Sequence, residues 1–378
     1  MSRAMNILLL QGGGALGAYQ VGVYEALNRA GIRPDWVVGT SVGALNGALI
    51  AGGDTEHSLQ RLEAFWEEIA QPGHSFGPQS DRMESQAARY MALTRGVPNF
   101  FTPRRPWSIP LLHPNGTLPG FYDTSALRAT LNRLVDFDAL GTRNFHDGIR
   151  LSVGAVNVGK GELTYFDSHH HPLNAEHIMA SGALPPGFPP VEVDGELYWD
   201  GGLVSNTPLD YVLEEEPPGS NLPVNCYVVD LWHAAGPAPS TIMEAINREK
   251  DIQYATRAGQ NVHFLKRIHA LKAAIRTLSH HLPEEVRHTS QISEILKLGL
   301  QQPVNIVRLL APVREQETAQ KDIDFSWSSI VARRQAGHDD MTQALDICPC
   351  HKDPVSDDIG ARVCSFRSNR DGQLVEES

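Results

Sequence analysis

No stretch of the sequence approaches the roughly 18 consecutive apolar residues that a membrane-crossing helix requires. The apolar run near the start, Ile7-Leu8-Leu9-Leu10, stops before Gly12-Gly13-Gly14. It is shorter than the core of about 7–15 residues in a secretory leader. No signal peptide or transmembrane segment is therefore expected, and any membrane contact would be peripheral. Cysteine is scarce: only Cys226, Cys348, Cys350 and Cys364 occur, too few for a secreted disulfide framework. A reducing cytoplasm is the expected setting. Basic excess is lacking as well. The net charge of −12 excludes the electrostatic footprint of a nucleic-acid binder, although a local basic patch remains compatible with it. Internal repeats and low-complexity tracts are missing too.

What is present is 41% hydrophobic residues, enough for a large core. From Met5 to about Asp230, short β-rich runs alternate with helix-period segments, the pattern of a mainly parallel sheet between helices, an α/β fold. Strands are expected at Met5–Leu10, Asp35–Val38, Ile149–Val156 and Glu162–Phe166. Helices are expected at Ala15–Ala30, Val42–Ala51, Leu59–Ile69, Thr124–Leu134 and near Asn174–Ser181. Regularity fades between Gln71 and Gly120. Within that span the aromatic, basic, proline-broken segment Phe100–Trp107 is a candidate lid. Beyond Asp230 a long helix is expected over Thr241–Leu278, broken near Gly259. A strand follows at Val304–Leu310, then a helix over Ser328–Leu345 interrupted around Gly337. The organisation read from this pattern is a catalytic domain over residues 5–235, a largely helical extension over 236–348 and a polar tail over 349–378.

Two glycine-rich turns lie between an apolar strand and a helix. Gly39-Thr40-Ser41-Val42-Gly43 matches G-x-S-x-G, in which glycines two residues either side leave room for a sharp turn. That turn exposes the serine at a helix N-terminus, where developing negative charge is stabilised. Ser41 is the candidate nucleophile, with Gly39 and Gly43 as structural members. The earlier turn, Gly12-Gly13-Gly14-Ala15-Leu16-Gly17, formally matches the dinucleotide fingerprint, with Asp35 about 20 residues on as a ribose-binding acid. The same amides can instead form an oxyanion hole. A third element, Asp200-Gly201-Gly202, reads by itself as a β-turn.

Taken together, these three elements resemble the patatin-like phospholipases in order and spacing, as does Ala180-Ser181-Gly182-Ala183-Leu184-Pro185-Pro186 upstream of the aspartate. The resemblance covers about Asn6–Val229. It implies hydrolysis of lipid acyl esters by a Ser–Asp dyad, without cofactor or metal. Ser41 would attack the acyl carbonyl and Asp200 would serve as base. The amides of Gly12, Gly13 and Gly14 would hold the oxyanion, while Gly17, Gly201 and Gly202 shape the motifs. One departure is Leu16, where many members carry a basic residue; if that cation helps hold the oxyanion, main-chain amides act alone here. A Ser–His–Asp triad would need a histidine after Asp200. His233, His263, His269, His280, His281, His288 and His338 satisfy that order, but none lies in a recognisable motif. A catalytically silent lipid-binding scaffold and a nucleotide-binding reductase are the alternatives.

Other clusters have plainer readings. Ser168-His169-His170-His171-Pro172 reads as a solvated turn. Cys348-Pro349-Cys350-His351 with Cys364 has a zinc-like composition, but its C-x-C spacing is shorter than the usual one. The stripe Val262, Leu265, Ile268, Leu271, Ile275 and Leu278, flanked by Lys266, Arg267, Lys272 and Arg276, suits core packing or a membrane surface.

Overall fold

Alternating apolar strands and helices assemble into one mainly parallel sheet of ten strands. The computed structural model describes residues 4–71, 78–104, 120–142, 148–215, 223–299, 304–313, 320–348, 361–369 and 372–377. The first units are β1 (Met5–Leu10), α1 (Ala18–Arg29), β2 (Trp36–Thr40), α2 (Val42–Ala51), α3 (Ser58–Ile69) and α4 (Pro78–Arg95). A small hairpin, β3 (Thr102–Pro103) and β4 (Tyr122–Asp123), leads to α5 (Ser125–Leu134) and α6 (Phe137–Thr142). Next come β5 (Arg150–Asn157), β6 (Leu163–Asp167), α7 (Ala175–Ser181), β7 (Val191–Val193) and β8 (Glu196–Asp200). They are followed by α8 (Leu209–Glu214), β9 (Val224–Asp230) and α9 (Ile242–His281). The chain ends with α10 (Glu284–Arg287), α11 (Ser290–Leu298), β10 (Val304–Leu310), α12 (Trp327–Ile347), β11 (Ala361–Ser368) and β12 (Leu374–Glu376).

The strand order is β12-β11-β10-β9-β1-β2-β5-β8-β7, with β6 paired to β5. Strand β1 is central, and the chain extends the sheet from it in both directions. The carboxyl ends of β1 and β9 therefore border a topological switch point, where open α/β sheets form crevices. Period-two alternation divides the core between the two faces. Leu8 and Leu10 pack with α1, α2, α3 and α12, whereas Ile7 and Leu9 pack with Leu209 of α8 and Val262 of α9.

Several expectations are corrected. The Gln71–Gly120 span holds α4, whose polar sequence hides a buried edge at Ala88 and Ala92. The 349–378 segment is not simply a polar tail: β11 pairs with β10 in parallel, and β12 adds an antiparallel edge. A strand with one half-exposed face leaves a weak apolar signal, so Arg362 and Arg367 masked β11.

Neither long C-terminal helix breaks at its glycine. In α9 nothing lies within 4 Å of a Cβ placed at Gly259, and the surrounding turns tolerate its cost of about 1 kcal/mol. In α12 the glycine is a contact device: a Cβ at Gly337 would sit 2.0 Å from the Tyr19 carbonyl oxygen, and one at Gly22 would sit 1.8 Å from that of Arg334. The backbones of α1 and α12 touch there, and the Tyr19 hydroxyl donates to Asp340 at 2.7 Å. Gly337→Ala is expected to cost at least about 1–3 kcal/mol by overpacking and to lower the thermal unfolding midpoint by several degrees. Gly259→Ala should leave the midpoint level or raise it.

Candidate active site

The G-x-S-x-G turn is sterically compelled. A Cβ at Gly39 would lie 2.3 Å from the Gly43 carbonyl oxygen, and one at Gly43 would lie 2.1 Å from that of Leu10. Between them Ser41 adopts φ 57° and ψ −123°, a costly conformation for a residue with a side chain, held by β2 on one side and α2 on the other. Its N–H donates to the Ser181 hydroxyl at 3.1 Å, which in turn donates to the Gly154 carbonyl at 2.6 Å. Ser181, at the end of α7, is fully buried.

Strand register brings Asp200 to the same place. Thr40 of β2 lies opposite Gly154 of β5, and Asp200 of β8 lies opposite Ala155. Consecutive residues of β5 thus carry the partner positions of Asp200 and of the residue just before Ser41. The Asp200 carboxylate accepts the Gly202 N–H at 2.8 Å, and the Ser41 hydroxyl lies close enough to lower its pKa. Burial drives the Asp200 pKa up to about 7, against the lowering effect of those two neighbours. Gly201 fits because a Cβ there would meet the Gly154 carbonyl oxygen at 2.4 Å.

The glycine-rich turn faces this pair. The Gly12 N–H donates to Asn206 Oδ1 at 3.1 Å, and Asn206 Nδ2 returns a bond to the Gly12 carbonyl at 3.0 Å. Of the three amides expected to hold an oxyanion, that of Gly12 is therefore already engaged. The N–H groups of Gly13 and Gly14 make no hydrogen bond among the described residues. Gly14 has φ +54°, and a Cβ there would meet the Asp322 carbonyl oxygen at 2.2 Å. Gly17 brings the starts of α1 and α2 together, since a Cβ there would lie 2.7 Å from a Val42 methyl. Leu16 is buried in the core, and Arg333 of α12 donates to the neighbouring Ala15 carbonyl at 3.2 Å. A cation thus reaches the turn from the C-terminal region instead of from the turn itself.

All these groups border a cavity of about 340 Å³, within the size range of small-ligand pockets. Gly12, Gly13, Gly14, Ser41, Asp200 and Gly202 line its polar floor; Leu45, Leu127, Ile178, Phe188 and Val191 are among the apolar walls. Phe100 and Phe101 also line it, buried and stacked edge-on against each other at 5.3 Å, with Phe101 5.2 Å from Phe188. That part of the candidate lid is a fixed wall, whereas residues 105–107 lie outside the described residues. Lys250, Tyr254, Asp322, Ile323 and Phe325 complete the lining from the C-terminal region. No histidine is among the described residues that line it.

Sequence reasoning missed Ser181, Asn206 and Trp232 as supports of the site. Asn206 lies in the quoted run after Asp200, but its partner is 194 residues away. Trp232 donates Nε1–H to the Gly12 carbonyl at 2.7 Å with no motif around it. The dinucleotide alternative fails on geometry. Asp35 accepts the Asn6 N–H at 2.9 Å at the start of β1, so it lies at the amino edge of the sheet, whereas the glycine turn is at the carboxyl edge. Among the described residues no cluster of three His, Cys, Asp or Glu could hold a metal ion, and no helix is long and apolar enough to cross a membrane. Cys348 and Cys364 are buried thiols, while Cys350 and His351 lie outside the described residues.

Known proteins resemble the chain in sequence. The chain is 25% identical over 240 residues to lysophospholipase NTE1 of Candida glabrata, covering 64% of this chain and 11% of that protein. It is 28% identical over 223 residues to a cGAMP-activated phospholipase of Pseudomonas aeruginosa, covering 56% of each. Over 207 residues it is 30% identical to mouse patatin-like phospholipase domain-containing protein 6, covering 54% of this chain and 12% of that one. The chain thus spans at most 56% of these relatives' own length. VipD from Legionella pneumophila aligns over 91% of this chain and 67% of its own, at TM-score 0.42 and 15% identity. A family model described as patatin phospholipase matches residues 252–357, and one described as patatin-like phospholipase matches residues 8–213. Matched by the latter over more than half its length, the chain belongs to the patatin-like phospholipase family.

Proposed function

We propose that the chain hydrolyses lipid acyl esters through Ser41 and Asp200, with the Gly13 and Gly14 amides as oxyanion donors. The observation that carries this reading is a serine in a strained conformation beside a buried carboxylate, both on the floor of one apolar cavity. Ionised Asp200 takes the Ser41 proton as Oγ adds to the acyl carbonyl. The oxyanion settles against the two amides, each such donor contributing about 10²–10³ in rate. Asp200 then protonates the departing alcohol, and Ser41 is left acylated. A water molecule, deprotonated by the same carboxylate, releases the fatty acid and restores the hydroxyl. No other ionisable group is required for these steps.

In this reading residues 5–235 supply the chemistry, and the 236–348 region supplies one wall of the substrate cavity. Contact with a lipid surface belongs to the same proposal, since Met83 and Tyr90 project from α4 beside Leu93, which lines the cavity. Incubation with a panel of phospholipids, lysophospholipids and neutral esters, read by mass spectrometry, should show release of fatty acid without added metal or cofactor. No hydrolysis of any panel member would overturn the proposal. Each histidine following Asp200, replaced singly by alanine, should retain turnover; a folded but inactive histidine variant would instead support a triad.

A further inference from the structure

A second cavity, of about 670 Å³, lies at the carboxyl ends of β9, β10 and β11 beneath α9. Its lining is basic in a chain of net charge −12. Val304 and Ile306 of β10 pack into the same core face as Val262 of α9, so alternation carries Arg308 and Leu310 onto that face too. Arg308 lies opposite Ser365 and Leu310 opposite Arg367, which places the Arg367 side chain beside that of Arg308 on the same face. From above, His263 and Arg267 of α9 add two further basic side chains at i, i+4 spacing. Three elements distant in sequence thus aim cationic groups at one space.

Packing or pairing within the fold does not account for this convergence. Arg308 donates Nε–H to Asp230, whose other oxygen accepts the Thr207 hydroxyl, and its remaining N–H groups have no partner among the described residues. Arg267 has no hydrogen bond or ion pair among the described residues. Among the described residues the only acid in the cavity lining is Glu377, which rests 3.4 Å from Arg367. With Asp230 paired to Arg308 and Glu377 beside Arg367, three guanidinium groups meet two carboxylates, and the excess positive charge leaves room for an anion. Guanidinium forks match tetrahedral oxyanions in bidentate fashion, and crevices at the carboxyl ends of such sheets are where α/β folds take anionic ligands. Trp232 and Phe264 add aromatic surface to the lining. Trp232 also faces the first cavity and holds the Gly12 carbonyl, so the two spaces share a wall.

We propose that this cavity is a binding site for an anion bearing a terminal phosphate, held by Arg267, Arg308 and Arg367 and separate from the Ser41 site. The test uses the full chain at low ionic strength and needs no hydrolysis, so its outcome is independent of the role given to Ser41. Inorganic pyrophosphate, titrated calorimetrically, probes a soluble source. Co-sedimentation with phosphatidylcholine vesicles, with and without phosphatidic acid, probes a lipid headgroup. Saturable binding of either probe is expected, and which arm responds names the source. The double variant Arg267→Gln/Arg367→Gln, which leaves the buried Arg308–Asp230 pair intact, should weaken it at least about tenfold. Glu377→Gln, which removes the resident carboxylate, should tighten it. Binding of neither probe, or binding indifferent to all three substitutions, would overturn the proposal.

Discussion

Ser41→Ala is expected to lower lipid-ester hydrolysis by about 10⁴-fold or more while leaving the thermal unfolding midpoint close to that of the parent. The size follows from the mechanism, because without Oγ there is no acyl-enzyme and only binding and the amides of the glycine turn remain. Structural cost should be small. Ser41 sits at the N-cap position of α2 but its side chain makes no capping hydrogen bond, and its backbone N–H, which bonds to Ser181, survives the change. Alanine still has to adopt φ 57°, so no strain is relieved. A fluorophosphonate probe gives the sharper readout, since it reports an activated serine without a choice of lipid. It should label the parent once, at Ser41, and fail on the variant. Undiminished labelling of the variant would place the nucleophile elsewhere and remove the basis for the proposed chemistry.

Why Ser41 stood out in the sequence, and its supports did not, follows from the range of the forces involved. The two turns are governed by contacts among near neighbours. Gly39 must be glycine because of Gly43, four residues away, and the strand before and helix after are visible as apolar runs. Asp200 is different. Nothing local separates it from an ordinary turn aspartate, and only its order and spacing relative to the other two motifs marked it. Its burial, and hence its raised pKa, comes from sheet register across β2, β5 and β8. Asn206, Ser181, Trp232 and Arg333 act over separations of 140 to 318 residues, where pattern reading has no purchase. The same limit explains the C-terminal region. Its strand β10 was legible as a β-branched, apolar-rich run, but nothing in the run tells that it extends the sheet beside β9. The contact of Asp322 with Gly14 was equally invisible.

Asp200→Asn should separate activity from stability with opposite signs. Burial holds the carboxyl neutral up to a pH of about 7, and a neutral acid cannot accept the Ser41 proton. The parent's kcat/KM is therefore expected to rise with pH through a midpoint near 7, well above the value of about 3.9 for a free aspartate. The asparagine variant should lose about 10²–10⁴ in rate and lose that limb of the profile with it. Stability runs the other way. Because the folded-state pKa lies above the unfolded one, the contribution of this group is full below about pH 4. It declines as the pH rises towards 7, where an ionised carboxylate must be kept out of water. Asparagine keeps the Gly202 and Ser41 contacts available and has no charge to bury. Its unfolding midpoint should match the parent's near pH 4 and exceed it by a growing margin up to pH 7 and above. A parent profile with its midpoint near pH 4, or a variant less stable than the parent at pH 8, would show that Asp200 is not held as a neutral acid. The pH interval over which the proposed base becomes competent is thus the interval over which it costs the fold most.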